Sequence, residues 1–77
     1  MTINETYDAV LEALHKAKNP IAIYLGHKTY SDFALDPRTR GALIYYPTDP
    51  TPRFYGVPIY KVSIYEHLFV ASPPSPM

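Results

Sequence analysis

The N-terminal part of the chain has the periodicity of an amphipathic helix. Between Ile3 and Leu14 the apolar residues recur at spacings of three and four, which places them on one helical face. Thr2 is a suitable N-cap, and Pro20 cannot continue a helix. The pattern therefore predicts a helix over residues 3–18.

After this helix, short runs rich in β-branched and aromatic residues predict strands. We expect strands at 21–25, 42–46, 54–62 and 67–71, a short helix at about 29–35, and a proline-rich loop at 47–52. The last three strands are expected to form an antiparallel meander. Pro58 has no N–H to donate, so its strand should lie at a sheet edge or contain a bulge at Gly56.

These elements predict an α+β fold, in which the N-terminal amphipathic helix packs on a small, mainly antiparallel sheet of three to four strands with a short second helix. A chain of 77 residues is long enough for one domain only. We assign residues 1–72 to that domain and residues 73–77, "PPSPM", to a flexible proline-rich tail.

Apolar side chains occur on both parities of the strands, so the predicted sheet has two apolar faces. In strand 21–25, the side chain of Tyr24 points to the face opposite that of the apolar residues on either side of it. In strand 54–62, one parity holds Tyr55, Val57 and Ile59, and the other holds Phe54, Tyr60 and Val62. The long helix covers one face. The second face, with Tyr24, Tyr60 and one of Tyr45 or Tyr46, is either covered by the short helix and the proline loop or left for a partner.

Composition and charge narrow the function classes. Seven basic residues balance seven acidic ones, so no overall field attracts nucleic acid or an anionic membrane. No run approaches the roughly 20 apolar residues of a membrane span, and the N-terminus lacks the pattern of a signal peptide. With no cysteine in the chain, which fits a reducing compartment, the expected location is the cytoplasm.

The residue types that commonly act in catalysis or bind metals are not grouped in a recognisable motif. The three histidines, His15, His27 and His67, are far apart, and the nearest candidate site is His27 with Asp32 or Asp36. The serines and glycines do not form a nucleophile elbow or a phosphate loop. We therefore expect no enzyme activity, no metal and no cofactor.

Three arginines support an alternative function. Arg38, Arg40 and Arg53 precede predicted strands and are expected to gather at one end of the sheet beside its tyrosines. Arginines interleaved with aromatic rings bind single-stranded nucleic acid by ion pairing and base stacking. The zero net charge argues against this alternative.

The stretch from residue 21 to 72, with its Gly56-Val57-Pro58 strand and its short helix after Thr29, resembles small proteins of tailed bacteriophages, and distantly a strand-helix-strand segment of phage major capsid proteins. The resemblance implies a phage origin, and with it the cytoplasm of a host cell as the location. Phage proteins of this size are often host-directed inhibitors or minor structural proteins, and both act through protein contacts.

The sequence thus predicts a non-catalytic protein-protein interaction module that binds a host protein, a phage protein or a further copy of itself, with binding to single-stranded nucleic acid as the alternative. Tyrosines and arginines are enriched at protein interfaces. The predicted interaction residues are Tyr24, Tyr45, Tyr46, Tyr60, Arg38, Arg40 and Arg53.

Overall fold

A computed structural model describes residues 2–73 and has the predicted α+β class. Its elements are α1 (Ile3–Lys16), β1 (Ala22–Gly26), α2 (His27–Leu35), α3 (Pro37–Ala42), β2 (Leu43–Tyr46), β3 (Asp49–Phe54), β4 (Val57–Val62) and β5 (Leu68–Ala71). Apart from Pro73, the predicted tail lies outside the described residues. Within residues 2–73, no helix is long and apolar enough to cross a membrane.

The sheet has five strands in the order β2-β3-β4-β1-β5, one more than the upper limit predicted. β1 lies in the interior, parallel to β4 and antiparallel to β5. The predicted meander of the last three strands is therefore wrong. β2, β3 and β4 form a meander, but β5 follows a longer connection and pairs with the far side of β1.

A tight turn divides the strand that was predicted over residues 54–62. Tyr55 and Gly56 both have positive φ angles, 52° and 80°, as the type I′ form of a two-residue hairpin turn requires. The turn makes Phe54 and Val57 a cross-strand pair, so both side chains lie on the same face. The predicted assignment of Phe54 and Val57 to opposite faces is wrong for this reason.

The prolines of this region are inside the sheet. Residues 49–54, which include Pro50 and Pro52, form β3 where a loop was predicted over 47–52. Pro58 is in β4, an interior strand, so the predicted edge position and bulge are also wrong. The hydrogen-bond ladder between β4 and β1 begins at Ile59. Pro58 comes before this ladder, so its missing N–H leaves no gap in it.

The long helix forms as predicted and ends two residues early, at Lys16. The backbone N–H of Glu5 donates to Thr2 Oγ1 at 3.3 Å, and the Thr2 hydroxyl donates to Glu5 Oε1 at 2.9 Å. The buried helical residues Tyr7, Val10 and Leu14 pack on one face of the sheet.

Two short helices follow β1. α2 begins at His27, and its Phe33 is fully buried in the core. Residues 37–42 form α3, a helix that was not predicted, and the Asp36 carboxylate caps its start by accepting a 2.9 Å hydrogen bond from the backbone N–H of Arg38. The helices thus lie together on one side of the sheet.

Candidate functional site: the open face of the sheet

The two faces of the sheet differ in what covers them. The helix-side face consists of Ile23, Leu25, Leu43, Phe54, Val57, Ile59, Leu68 and Val70, which are buried in the core or packed against it. The opposite face, here called the open face, consists of Tyr24, Ile44, Tyr46, Asp49, Arg53, Pro58, Tyr60 and Phe69. The strand register and the alternation of side chains place the two sets on opposite sides.

An aromatic row crosses the middle of the open face. Tyr24 in β1 is paired with Tyr60 in β4 and with Phe69 in β5. The ring centroids are 5.7 Å apart for Tyr24 and Tyr60 and 6.4 Å apart for Tyr24 and Phe69, with interplanar angles of 29° and 26°. The three rings thus form one stacked, rigid surface across three neighbouring strands.

The β2-β3 hairpin extends the open face to the opposite edge of the sheet. Arg53 lies opposite both Ile44 and Pro58. Its guanidinium carbon is 5.5 Å from the centroid of the Tyr46 ring, and Arg53 Nη2 is 3.5 Å from Asp49 Oδ2. The hairpin therefore adds apolar area together with one neutralised pair of charges.

The open face is exposed within the described part of the chain. Tyr60 is 44% exposed, Tyr46 49%, Ile44 51% and Phe69 54%. α2 packs on the helix side through Phe33, and the residues expected to form a covering loop are a strand of the sheet. Of the two arrangements considered from the sequence, cover by these segments is therefore wrong.

The predicted tyrosines divide between the two faces. Tyr24 and Tyr60 are neighbours in the aromatic row, and Tyr46 is on the open face beside Arg53. Tyr45 lies on the helix side, close to Tyr30 of α2. Burial and this contact raise the pKa of Tyr30.

The arginines do not gather as expected. Arg38 lies on the helix side with its guanidinium carbon 4.2 Å from the centroid of the Tyr7 ring. It donates to Asp36 at 2.8 and 3.1 Å and to Asp8 at 3.0 Å. These contacts lower the pKa of the Asp36 carboxyl and raise the pKa of Arg38. Arg38 thus ties the start of α3 to α1.

Arg40 is exposed in the last turn of α3. Of the three predicted arginines, Arg53 alone contacts a predicted sheet tyrosine, Tyr46, among the ring contacts of residues 2–73. The expected cluster of three cations beside the tyrosines is therefore wrong.

Two large exposed apolar side chains of the open face were missing from the predicted interaction residues. Phe69 completes the aromatic row, and Ile44 lies opposite Arg53. Period-two alternation could have found Phe69, because it separates Phe69 from Leu68 and Val70. The partnership of Phe69 with Tyr24 depends on strand order, which local sequence does not determine.

The candidate metal or acid-base site at His27 is not assembled. Asp32 accepts a 2.6 Å hydrogen bond from Lys28, and Asp36 is bound to Arg38. Within residues 2–73 no group of three or more histidine, aspartate or glutamate side chains could hold a metal ion.

Backbone carbonyls from elsewhere in the same chain bind the first N–H groups of α2. The N–H groups of His27 and Lys28 donate to the carbonyls of Ile64 and Tyr65 at 3.0 and 2.9 Å. These carbonyls satisfy helix N–H groups that elsewhere can bind an anion. The loop that follows β4 therefore serves as the cap of α2.

A shallow groove of about 400 Å³ lies on the helix side, beside the outer surface of α2. It is lined by His27, Tyr30, Ser31, Ala34, Leu35 and Lys61. Lys61 Nζ is 4.8 Å from the centroid of the Tyr30 ring, so the one lysine in the groove covers its aromatic wall.

Comparisons with family models, curated proteins and solved structures found no match to this chain. The resemblance to tailed-phage proteins therefore stays a prediction.

Proposed function

We propose that this protein is a non-catalytic protein-protein interaction module that binds its partner through the open face. The observation that carries the proposal is a half-exposed surface on one face of the five-stranded sheet, in which the aromatic row of β4, β1 and β5 and the apolar residues of β2 lie on either side of the paired charges of β3. If the chain is of phage origin, the partner is a host or phage protein.

The size of the open face supports this proposal. Five strands spaced about 4.8 Å apart, with about five residues each at 3.3 Å per residue, give the whole face, with its charged pair, an upper limit of roughly 24 by 16 Å, about 400 Å² in projection. A contiguous apolar patch of a few hundred Å² on a small protein commonly marks a binding site. Tyrosine is also the residue type that tolerates both water and an interface.

The charges of the open face indicate what kind of partner fits. Within the strands, all of them in the described part of the chain, Arg53 and Asp49 are the ionised side chains on this face, and they lie 3.5 Å apart. A face for nucleic acid needs several unpaired cations to contact the phosphates. The open face instead suits a flat, apolar protein surface with little charge.

Photo-crosslinking at single positions tests the proposal. We would replace Tyr60 by the photoreactive analogue benzoylphenylalanine, irradiate cells that produce the protein, and analyse the adducts by mass spectrometry. Tyr65 is a matched control, because it is 67% exposed but lies in the loop after β4. We expect adducts to protein from position 60 and few from position 65.

Two outcomes would contradict the proposal. The first is equal crosslinking at positions 60 and 65. The second is retention of a single-stranded oligonucleotide with a steep salt dependence that is lost in Arg53→Gln, which would favour the nucleic-acid alternative.

A further inference from the structure

We infer that the protein which binds the open face is a second copy of this chain, and that two copies form a symmetric dimer with their sheets face to face. This inference rests on the proposed function and names its partner. It follows from the charges, the symmetry and the area of the open face.

The charges of the open face allow it to pack against itself. Two identical surfaces repel each other when they carry unpaired charges of one sign. Here Arg53 and Asp49 neutralise each other on the same copy, and Tyr46 lies against the guanidinium. The remaining residues of the face are uncharged, so a second copy meets no electrostatic opposition.

The aromatic row has a suitable layout for a two-fold interface. Tyr24 is its central ring, with Tyr60 on one side and Phe69 on the other. A two-fold axis that runs along this row, perpendicular to the strands, sets each ring over the same ring of the second copy and lets all five strands of the two faces overlap. Such an isologous contact uses the same patch twice, and sheets that pack face to face are a common protein core.

The area of the face determines how tight the dimer is. Two faces of about 400 Å² give roughly 800 Å² in projection, and side-chain relief raises the accessible area towards the roughly 1,000 Å² that a specific interface needs. This is at the lower end of the range. The dimer should therefore be reversible, with monomer and dimer exchanging as the concentration changes.

Sedimentation equilibrium over about 1 µM to 1 mM tests the inference. For the wild-type chain we expect the mass to rise from 8.7 kDa towards twice that value. Tyr60→Arg puts two unpaired cations into the interface and should move the monomer-dimer midpoint at least about tenfold to higher concentration. Tyr65→Arg adds the same charge in the loop and should behave as wild type.

A second variant serves as a control in case the Tyr60→Arg protein misfolds. Phe69→Lys changes the other end of the aromatic row, and circular dichroism shows whether each variant keeps its fold. Loss of the dimer in either folded variant supports the inference.

Two results would overturn the inference. A wild-type chain that stays monomeric at about 1 mM has no such dimer, and a dimer that survives both substitutions uses another surface. Neither result removes the proposed function, because crosslinks from position 60 to a different protein would still support it. Failure of that crosslinking is a separate outcome.

Discussion

The two faces of the sheet contain similar apolar residues but have different environments. On the helix side, Ile23 and Phe54 are fully buried, whereas on the other side Tyr60 and Phe69 remain 44% and 54% exposed. Both sets come from the same strands by simple alternation. The comparison shows that apolar content alone does not identify the core, because the position of the helices decides which face stabilises the fold and which is available for binding.

A phenylalanine on each face allows the most direct comparison. Phe54 is fully buried, with its ring centroid 5.1 Å from that of Phe33 and 5.8 Å from that of Tyr7. Phe54→Ala should cost about 3–5 kcal/mol of unfolding free energy, because it removes a core ring and leaves a cavity. In so small a domain this loss should abolish cooperative unfolding, as measured by urea denaturation followed by circular dichroism.

Phe69→Ala is the matched change on the open face. It removes the same side chain from a half-exposed position and should cost below about 1 kcal/mol. Equal losses for the two variants would contradict the division between a face that stabilises the fold and an open face.

The junction between β1 and α2 should be the next most sensitive position. A Cβ on Gly26 would collide with the carbonyl of Ile64 and approach the Tyr65 carbonyl oxygen to 2.7 Å and the His67 nitrogen to 2.8 Å. Gly26→Ala should therefore destabilise the fold by about 1–3 kcal/mol. In Gly41→Ala nothing lies within 4 Å of the new Cβ, and a helical alanine should stabilise by up to about 1 kcal/mol.

Thermal unfolding of both glycine variants checks this prediction. A Gly26→Ala protein as stable as wild type would show that the loop after β4 does not rest against β1.

The acid stability of the helix side should depend on Asp36. This carboxylate is 1% exposed, and its hydrogen bonds to Arg38 lower its pKa below the ordinary value of 3.8. A carboxyl whose pKa is lower in the folded than in the unfolded state stabilises the fold above the unfolded pKa. That stability is lost as the pH falls below about 4 towards the folded pKa.

Urea midpoints at pH 7 and pH 3 measure this loss. Asp36→Asn should lower stability at pH 7 and flatten the acid decline. Glu12→Gln is the matched control, because the Glu12-Lys16 pair is on the surface with side chains 65% and 75% exposed, and it should follow wild type. An unchanged acid decline in Asp36→Asn would show that other carboxyl groups cause it.

The smallest effect on the fold is expected for Tyr60→Ala. The monomer loses the stacking of Tyr60 on Tyr24, 5.7 Å away, a cross-strand pair worth about 0.2–1 kcal/mol. The complex with the partner should weaken by about 1–3 kcal/mol. Denaturation in dilute solution, compared with binding at high concentration, separates the two effects. Loss of the fold would show that Tyr60 belongs to the core.

Local sequence predicted the elements better than their arrangement. The helix at the N-terminus and four of the strand regions were recognisable because their periodicity is local. Pro50 and Pro52 concealed β3, since proline normally argues against a strand. A tyrosine with positive φ concealed the turn at residues 55–56, because such turns usually contain asparagine or glycine at that position.

The candidate site was predicted in part for the same reason. Alternation placed Tyr24 and Tyr60 opposite the core, and the strand register makes them neighbours. The role of Phe69 depends on β5 pairing with β1, and the attachment of Arg38 to Asp8 spans thirty residues. Such long-range contacts follow from the packing of the whole chain, which periodicity does not describe.

The central claim, that one face is closed by the fold and the other is open, can be tested by nitrating the tyrosines with tetranitromethane in dilute solution and mapping the products by mass spectrometry. Tyr7 is 7% exposed on the helix side, and Tyr60 is 44% exposed on the open face. We predict that Tyr60 reacts at a rate close to that of the loop residue Tyr65 while Tyr7 remains unmodified. Protection of Tyr60 to the same degree as Tyr7 in the monomer would contradict the account.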